Sequence, residues 1–284
     1  MRKLTISSAR GGLIDLMNDD YFWLVDFDAE TQNDNELMTA TLAGGDGDIV
    51  NSVAAFPRTA IIELRIKTNV NVEEAKRHIT QVIKPKQECT FRSIRDNRDV
   101  TLTGYVETIS MPRYTNAVSL FTTFHCSQPF WEDFKDVVAE ITNIDNLHYF
   151  TKEAGEMLYF PADGIPLGAY DFARVKSFYN GGDVAVGMTI QINAVATVTN
   201  PIIWASDGTF IGVNTTMKAM DVIEITTHRG RKTITKNGQN IITSLKAGST
   251  WLQLETGQSE FNINSDDEAV DNMYFNIIYK QRYV

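Results

Sequence analysis

The residues able to do chemistry are few and dispersed. Four histidines, His78, His125, His148 and His228, stand far apart, and no pair has the spacing of a zinc helix or of a Cys/His ligand set. Ordinary surface or strand histidines are expected, with no metal bound. The two cysteines, Cys89 and Cys126, lie in strand-like runs and form no Cys-x-x-Cys motif, so both are expected to be buried thiols. Paired carboxylates occur at Asp26 and Asp28 and at Asp266, Asp267 and Glu268. Two acids held across a cleft could hydrolyse a glycosidic bond. The first pair, however, follows Tyr21-Phe22-Trp23 at a strand end, and the second lies in a polar stretch before the final strand, which predicts solvated turns.

Other entries to catalysis are closed. The chain contains no Gly-x-Ser-x-Gly elbow, no Walker loop and no Gly-x-Gly-x-x-Gly opening a helix after a strand. Gly44-Gly45-Asp46-Gly47-Asp48 faintly echoes a calcium-binding glycine/aspartate repeat, but Ile49 stands where the next aspartate would be, and a flexible loop is expected. Trp204, Phe210 and Trp251 could serve as stacking platforms for a sugar, although aromatics in a β-sandwich usually belong to the core. The expectation is a chain with no catalytic, cofactor-binding or metal-ligating residue, and so no enzyme.

The elements that would position these residues are mostly strands. Between Val184 and Val198 every even position is apolar, the period of a half-buried strand. Ala60, Ile62, Leu64 and Ile66 alternate with Glu63, Arg65 and Lys67, and Val118, Leu120, Phe124 and Cys126 alternate with Ser119, Thr123 and His125. Antiparallel sheets with one wet face follow. One helix is expected over residues 72–83, because Val72, Ala75, Ile79 and Val82 share a face, Asn71 and Glu74 suit a capping box, and Pro85 ends the run. A weaker helical pattern joins Trp131, Phe134, Val138, Ile141 and Ile144. Thr151 to Gly168 reads as an inter-domain passage, which places a boundary near residue 145 between domains 1–145 and 146–284. In the second half, Asn180-Gly181-Gly182-Asp183 and the type I′ dipeptide Asn237-Gly238 punctuate short strands, the pattern of a β-sandwich.

Length and charge bound the rest. A chain of 284 residues can build two ordinary cores without disulfides or metals. Thirty-six acidic against 26 basic residues give a net charge of −10, the wrong sign for tight nucleic-acid binding, yet suited to a conduit through which DNA passes without sticking. The basic start Met1-Arg2-Lys3 lacks the apolar core of a signal peptide, and no apolar run reaches the ~18 residues of a spanning helix. Folding in a cytoplasm without membrane insertion is expected.

The order of segments resembles the siphophage distal tail protein family. In the first half it runs from the glycine-rich loop at Gly44–Asp48 through a strand beginning at Arg58, the helix Val72 to Ile83 with Lys84-Pro85-Lys86, and Val100 to Ile109, to Cys126-Ser127-Gln128-Pro129-Phe130-Trp131. The second half continues with Asn180 to Val184, Thr199 to Trp204, Asp221 to Lys232, Asn237-Gly238, Ser249 to Leu254 and Gly257 to Phe261. The resemblance implies a mainly β protein with an N-terminal β-barrel-like domain carrying one helix and a C-terminal galectin-like β-sandwich. It also implies a hexameric ring at the tail tip of the virion, stacked between the tail tube protein and a tail-associated lysin or baseplate hub, with a receptor-binding protein at its periphery. A carbohydrate-binding module that contacts host glycans is the alternative.

Overall fold

A computed structural model of the chain describes residues 2–29, 35–41, 46–111, 118–139, 142–145, 169–172 and 175–284. It divides into two compact units, one comprising Met1–Lys135 with Arg282–Val284, the other Asp136–Gln281.

The first unit contains β1 (Lys3–Ser8), β2 (Leu13–Asp15), β3 (Phe22–Asp28), β4 (Asn35–Thr41), β5 (Asp48–Ala55) and β6 (Arg58–Ile66). The helix α1 (Val72–Val82) follows, and then β7 (Glu88–Arg95), β8 (Arg98–Ser110), β9 (Ser119–Cys126) and β10 (Trp131–Asp133). Its antiparallel sheet runs β2-β1-β7-β8-β9-β6-β3. Four strand spacings, about 19 Å along a flat sheet, separate β7 from β3. Phe27 of β3 nevertheless lies 5.5 Å from Phe91 of β7, ring centre to ring centre, so the sheet curls over on itself. Phe91 packs edge-on against Phe124 at 4.8 Å inside that curl.

The helix forms where the capping residues predict it. Asn71 accepts a hydrogen bond from the Glu73 amide at 2.9 Å, and the Ile83 amide closes the last turn on the Ile79 carbonyl at 2.8 Å. Ala75, Ile79 and Val82 are buried in the same core as Phe91, each aliphatic side chain contributing about 1.5–3 kcal/mol.

The second unit begins with β11 (Val137–Ala139), β12 (Thr142–Asp145), β13 (Ala169–Phe172), β14 (Val175–Asn180), β15 (Met188–Ala194), β16 (Val198–Thr199), β17 (Ile202–Ala205) and β18 (Phe210–Gly212). It continues with β19 (Thr216–Met217), β20 (Val222–His228), β21 (Arg231–Lys236), β22 (Gln239–Asn240), β23 (Gly257–Asn264) and β24 (Met273–Tyr279). A six-stranded sheet, β11-β24-β15-β20-β21-β22, faces a four-stranded one, β14-β23-β17-β18. Phe178 of the smaller sheet meets Phe275 of the larger at 6.2 Å, which makes the pair a sandwich. The predicted alternation is seen in β15, where Met188, Ile190, Ile192 and Ala194 are buried and the residues between them are not. Asn237 and Gly238 both have positive φ, 50° and 79°, as a type I′ turn between β21 and β22 requires.

One expectation is corrected. Trp131, Phe134 and Val138 do not share a helix face, because β10 and β11 are strands; Ile141 lies outside the described residues, and Ile144 falls in β12. Trp131–Asp133 finds its partners in β8 and in β25 (Arg282–Tyr283), while Val137–Ala139 pairs with β24. The two compact units divide at Lys135/Asp136. The chain then returns after Gln281, so the second unit is an insertion within the first. The passage 151–168 lies outside the described residues, as do Gly44, Gly45 and His148.

Candidate assembly surface

The side chains singled out for chemistry are occupied in holding the fold. His78 stacks on Tyr21 at 4.4 Å, and its Nε2 lies 2.8 Å from Asp19 Oδ2. The other Asp19 oxygen accepts from the Tyr21 and Phe22 amides, so this cluster ties α1 to the start of β3. Asp266 accepts from Asn200 Nδ2 at 2.8 Å and Lys246 Nζ at 3.0 Å, and Asp267 accepts from the Thr199 amide at 3.0 Å. Asn200, and then Lys246, holds the Asp266 carboxyl below its ordinary range, and the Ser265 side chain, with smaller help from the Ala269 amide and Thr199, does the same for Asp267. A general acid needs the opposite shift. Asp26 and Asp28 are exposed on β3, where Asp26 accepts from the amide of Phe27.

Cys89 and Cys126 are fully buried free thiols, and burial pushes both up to about 11. Gly104 faces Cys89 across the β7–β8 ladder, and a Cβ there would stand 2.6 Å from Cys126 Sγ. Among the described residues no group of three or more His, Cys, Asp or Glu side chains could hold a metal ion, and no helix is long and apolar enough to cross a membrane. His125 of β9 and His228 of β20 stand on separate units.

The aromatic candidates divide. Trp204 and Phe210 pack on each other at 4.5 Å across β17 and β18, whereas Trp251 borders a cleft of about 430 Å³ together with Asp207, Thr209, Gln253, Glu255 and Gln258.

One region is built differently from all of these. The hairpin β4–β5 exposes all seven residues of β4 and all of β5 except Ala55. Among the described strands it pairs only with itself, and it leaves the curled sheet between β3 and β6. Its sequence is nonetheless apolar on both faces: Leu37 sits opposite Val53, the neighbouring Met38 projects to the other face, and Ile49 and Val50 follow, each more than half exposed. A lone two-stranded hairpin is marginal in water, and an exposed apolar ribbon invites pairing. The root of this arm is firm. The carbonyl of Ala29 accepts from the buried Arg58 guanidinium and from Trp131 Nε1, the latter at 3.1 Å. Composition alone does not show this arm. The sequence signal that marks it is that its apolar residues occupy successive positions, Leu37-Met38 and Ile49-Val50, and so cannot share a face.

Residues 181–283 match the family described as siphovirus-type tail component, C-terminal domain. The fold of the whole chain is similar to the crystal structure of the SPP1 Dit protein, a paradigm of the hub adsorption apparatus in phages infecting Gram-positive hosts. The TM-score is 0.70 at 14% identity, over 99% of this chain and 99% of that one. A chain of the phage P2 baseplate, in its activated conformation with Ca, is also similar, with a TM-score of 0.51 at 12% identity over 99% and 98% of the two chains. No curated protein matches by sequence.

Proposed function

We propose that the chain is the distal tail, or hub, protein of a long-tailed phage. Copies close into a ring, six by the family's habit, that joins the tail tube to the tail-tip or baseplate hub and its receptor-binding apparatus. It is assembled in the host cytoplasm and carried at the tail tip of the virion. The observation that carries this reading is the β4–β5 arm, on a chain whose residues 181–283 match a siphovirus-type tail-component model: its apolar faces need a neighbour. A closed ring satisfies every copy's exposed strands at once. The work is done by surfaces and requires no catalysis or cofactor. The net charge of −10 suits a wall past which DNA slides. Sedimentation of the full chain tests the reading, with a hexamer or stacked hexamers expected and a monomer at every concentration against it.

A second reading rests on the cleft beside Trp251, where one aromatic edge and several amides and carboxylates converge in the manner of a saccharide site. Titration of the full chain with cell-wall saccharides tests it, and loss of binding in Trp251→Ala is the expected signature.

A further inference from the structure

The smaller sheet of the second unit turns one face to its core and the other outward. Along β23, Phe261 and Ile263 are buried, and Gln258, Glu260 and Asn262 at the alternate positions are exposed. Strand β14 divides in the same way, with Phe178 and Asn180 buried and Val175, Ser177 and Tyr179 exposed. The register sets Tyr179, 68% exposed, directly opposite Gln258, and Ser177 donates to Glu260 Oε1 across the same two strands at 3.2 Å.

Gln258 and Glu260 also line the cleft of about 430 Å³ beside Trp251, so the cleft and the exposed sheet face share side chains. Asp207, Gln253 and Glu255 complete its amides and carboxylates. Among the described residues the lining has three carboxylates and no lysine, arginine or histidine; Lys232, 5.4 Å over the Trp251 ring, stands outside it. Asp207 Oδ1 accepts from the Thr209 amide at 2.8 Å and from the Thr209 hydroxyl at 2.6 Å. Together with the Ser177 bond, these contacts orient two of the carboxylates and occupy one oxygen of each. Hydroxyl groups donate to carboxylates in strong charge-assisted bonds, amides both donate and accept, and an aromatic ring covers the apolar C–H face of a sugar. A polymer bearing phosphates or carboxylates meets like charge there, on a chain already at −10.

We infer that the cleft and the sheet face form one extended site for a linear, uncharged glycan, which lies from Trp251 over Gln258 and Glu260 to Tyr179. This rests on the saccharide reading of the cleft and adds to it a second aromatic subsite and a ligand class. Strand β14 flanks β23 on one side, and Ala205 and Ser206 of the cleft flank it on the other. A ligand that touches both rings therefore crosses β23 and is longer than a single sugar.

Isothermal titration calorimetry of the full chain tests this with maltohexaose, cellohexaose and chitohexaose as neutral probes, with the matching disaccharides, and with poly(glycerol phosphate) as the anionic one. At least one neutral hexasaccharide is expected to bind, and to bind about tenfold or more above its disaccharide. Poly(glycerol phosphate) is expected to give no heat of binding at low salt. Tyr179→Ala should weaken the hexasaccharide about fivefold or more, and Trp251→Ala should abolish its binding. Gln258→Ala replaces the tryptophan variant should that one melt below the wild type. Equal affinity for hexasaccharide and disaccharide, with Tyr179→Ala silent, would overturn the extended site and leave the cleft standing. Poly(glycerol phosphate) bound as tightly as the neutral sugars would overturn the ligand class. Failure of every neutral probe to bind would remove the saccharide reading itself.

Discussion

Two hairpins of this chain both carry several apolar residues and meet opposite fates. In β20–β21, Ile223, Ile225 and Ile234 are fully buried, and the turn beyond them is pinned by Asp221, which accepts from the Lys218 amide, Asn237 Nδ2 and Lys236 Nζ. In β4–β5 every residue except Ala55 is exposed. The first hairpin is finished by its own unit, and the second is an unfinished structure. Alternation reports that a strand has two faces; what covers them is decided elsewhere in the sequence or in another copy.

The sharpest break in the comparison comes from truncating a core ring. Phe91→Ala should destabilise the first unit by about 3–5 kcal/mol, seen as a lower midpoint in denaturant, and Phe275→Ala should do the same in the second. Leu37→Ser with Val53→Ser should leave the melting of the dilute single chain within about 0.5 kcal/mol of wild type while abolishing assembly. A large loss of stability there would mean that the arm belongs to its own core.

Smaller effects follow from close packing. Gly104→Ala places a methyl group 2.6 Å from Cys126 Sγ and should cost about 1–3 kcal/mol in chemical denaturation. Asn237→Ala removes both the left-handed turn residue and a donor to Asp221, and a loss of about 1 kcal/mol confined to the second unit is expected.

The two units should also part with pH. Burial raises both thiols from 9.0 to about 11, so the folded first unit holds those protons more tightly than the unfolded chain. The contribution is complete below pH 9.0 and is lost as pH climbs towards about 11. Asp221, Asp266 and Asp267 are held low by hydrogen bonds, so the second unit keeps their contribution above the ordinary carboxylate range and loses it as pH falls through their lowered values. Melting curves across pH should show the first unit weakening first in alkali. The double variant Cys89→Ala, Cys126→Ala should flatten that alkaline limb.

Local features of the fold are legible in the residues themselves. The helix is announced by Asn71, an apolar face and Pro85, all within a few turns, and β6, β9 and β15 by strict alternation. What the residues do not reveal is non-local. Trp131, Phe134 and Val138 have helical spacing, but the strands they occupy are completed by partners about 150 residues away, at Arg282–Tyr283 and in β24. A concavity of about 170 Å³ is equally hidden, since its lining residues Lys3, Leu24 and Ser93 come from distant segments and only the fold makes them neighbours. The acidic arm lies in plain view, but totals over the whole chain average it away.

The central claim is that this chain is a ring subunit whose exposed arm is covered by its neighbour. Electron microscopy of the purified full-length protein beside a variant lacking residues 35–55 addresses it most directly. Closed six-fold rings for the wild type and isolated particles for the variant are the expected images. Isolated particles in both, or unchanged rings without the arm, would contradict it.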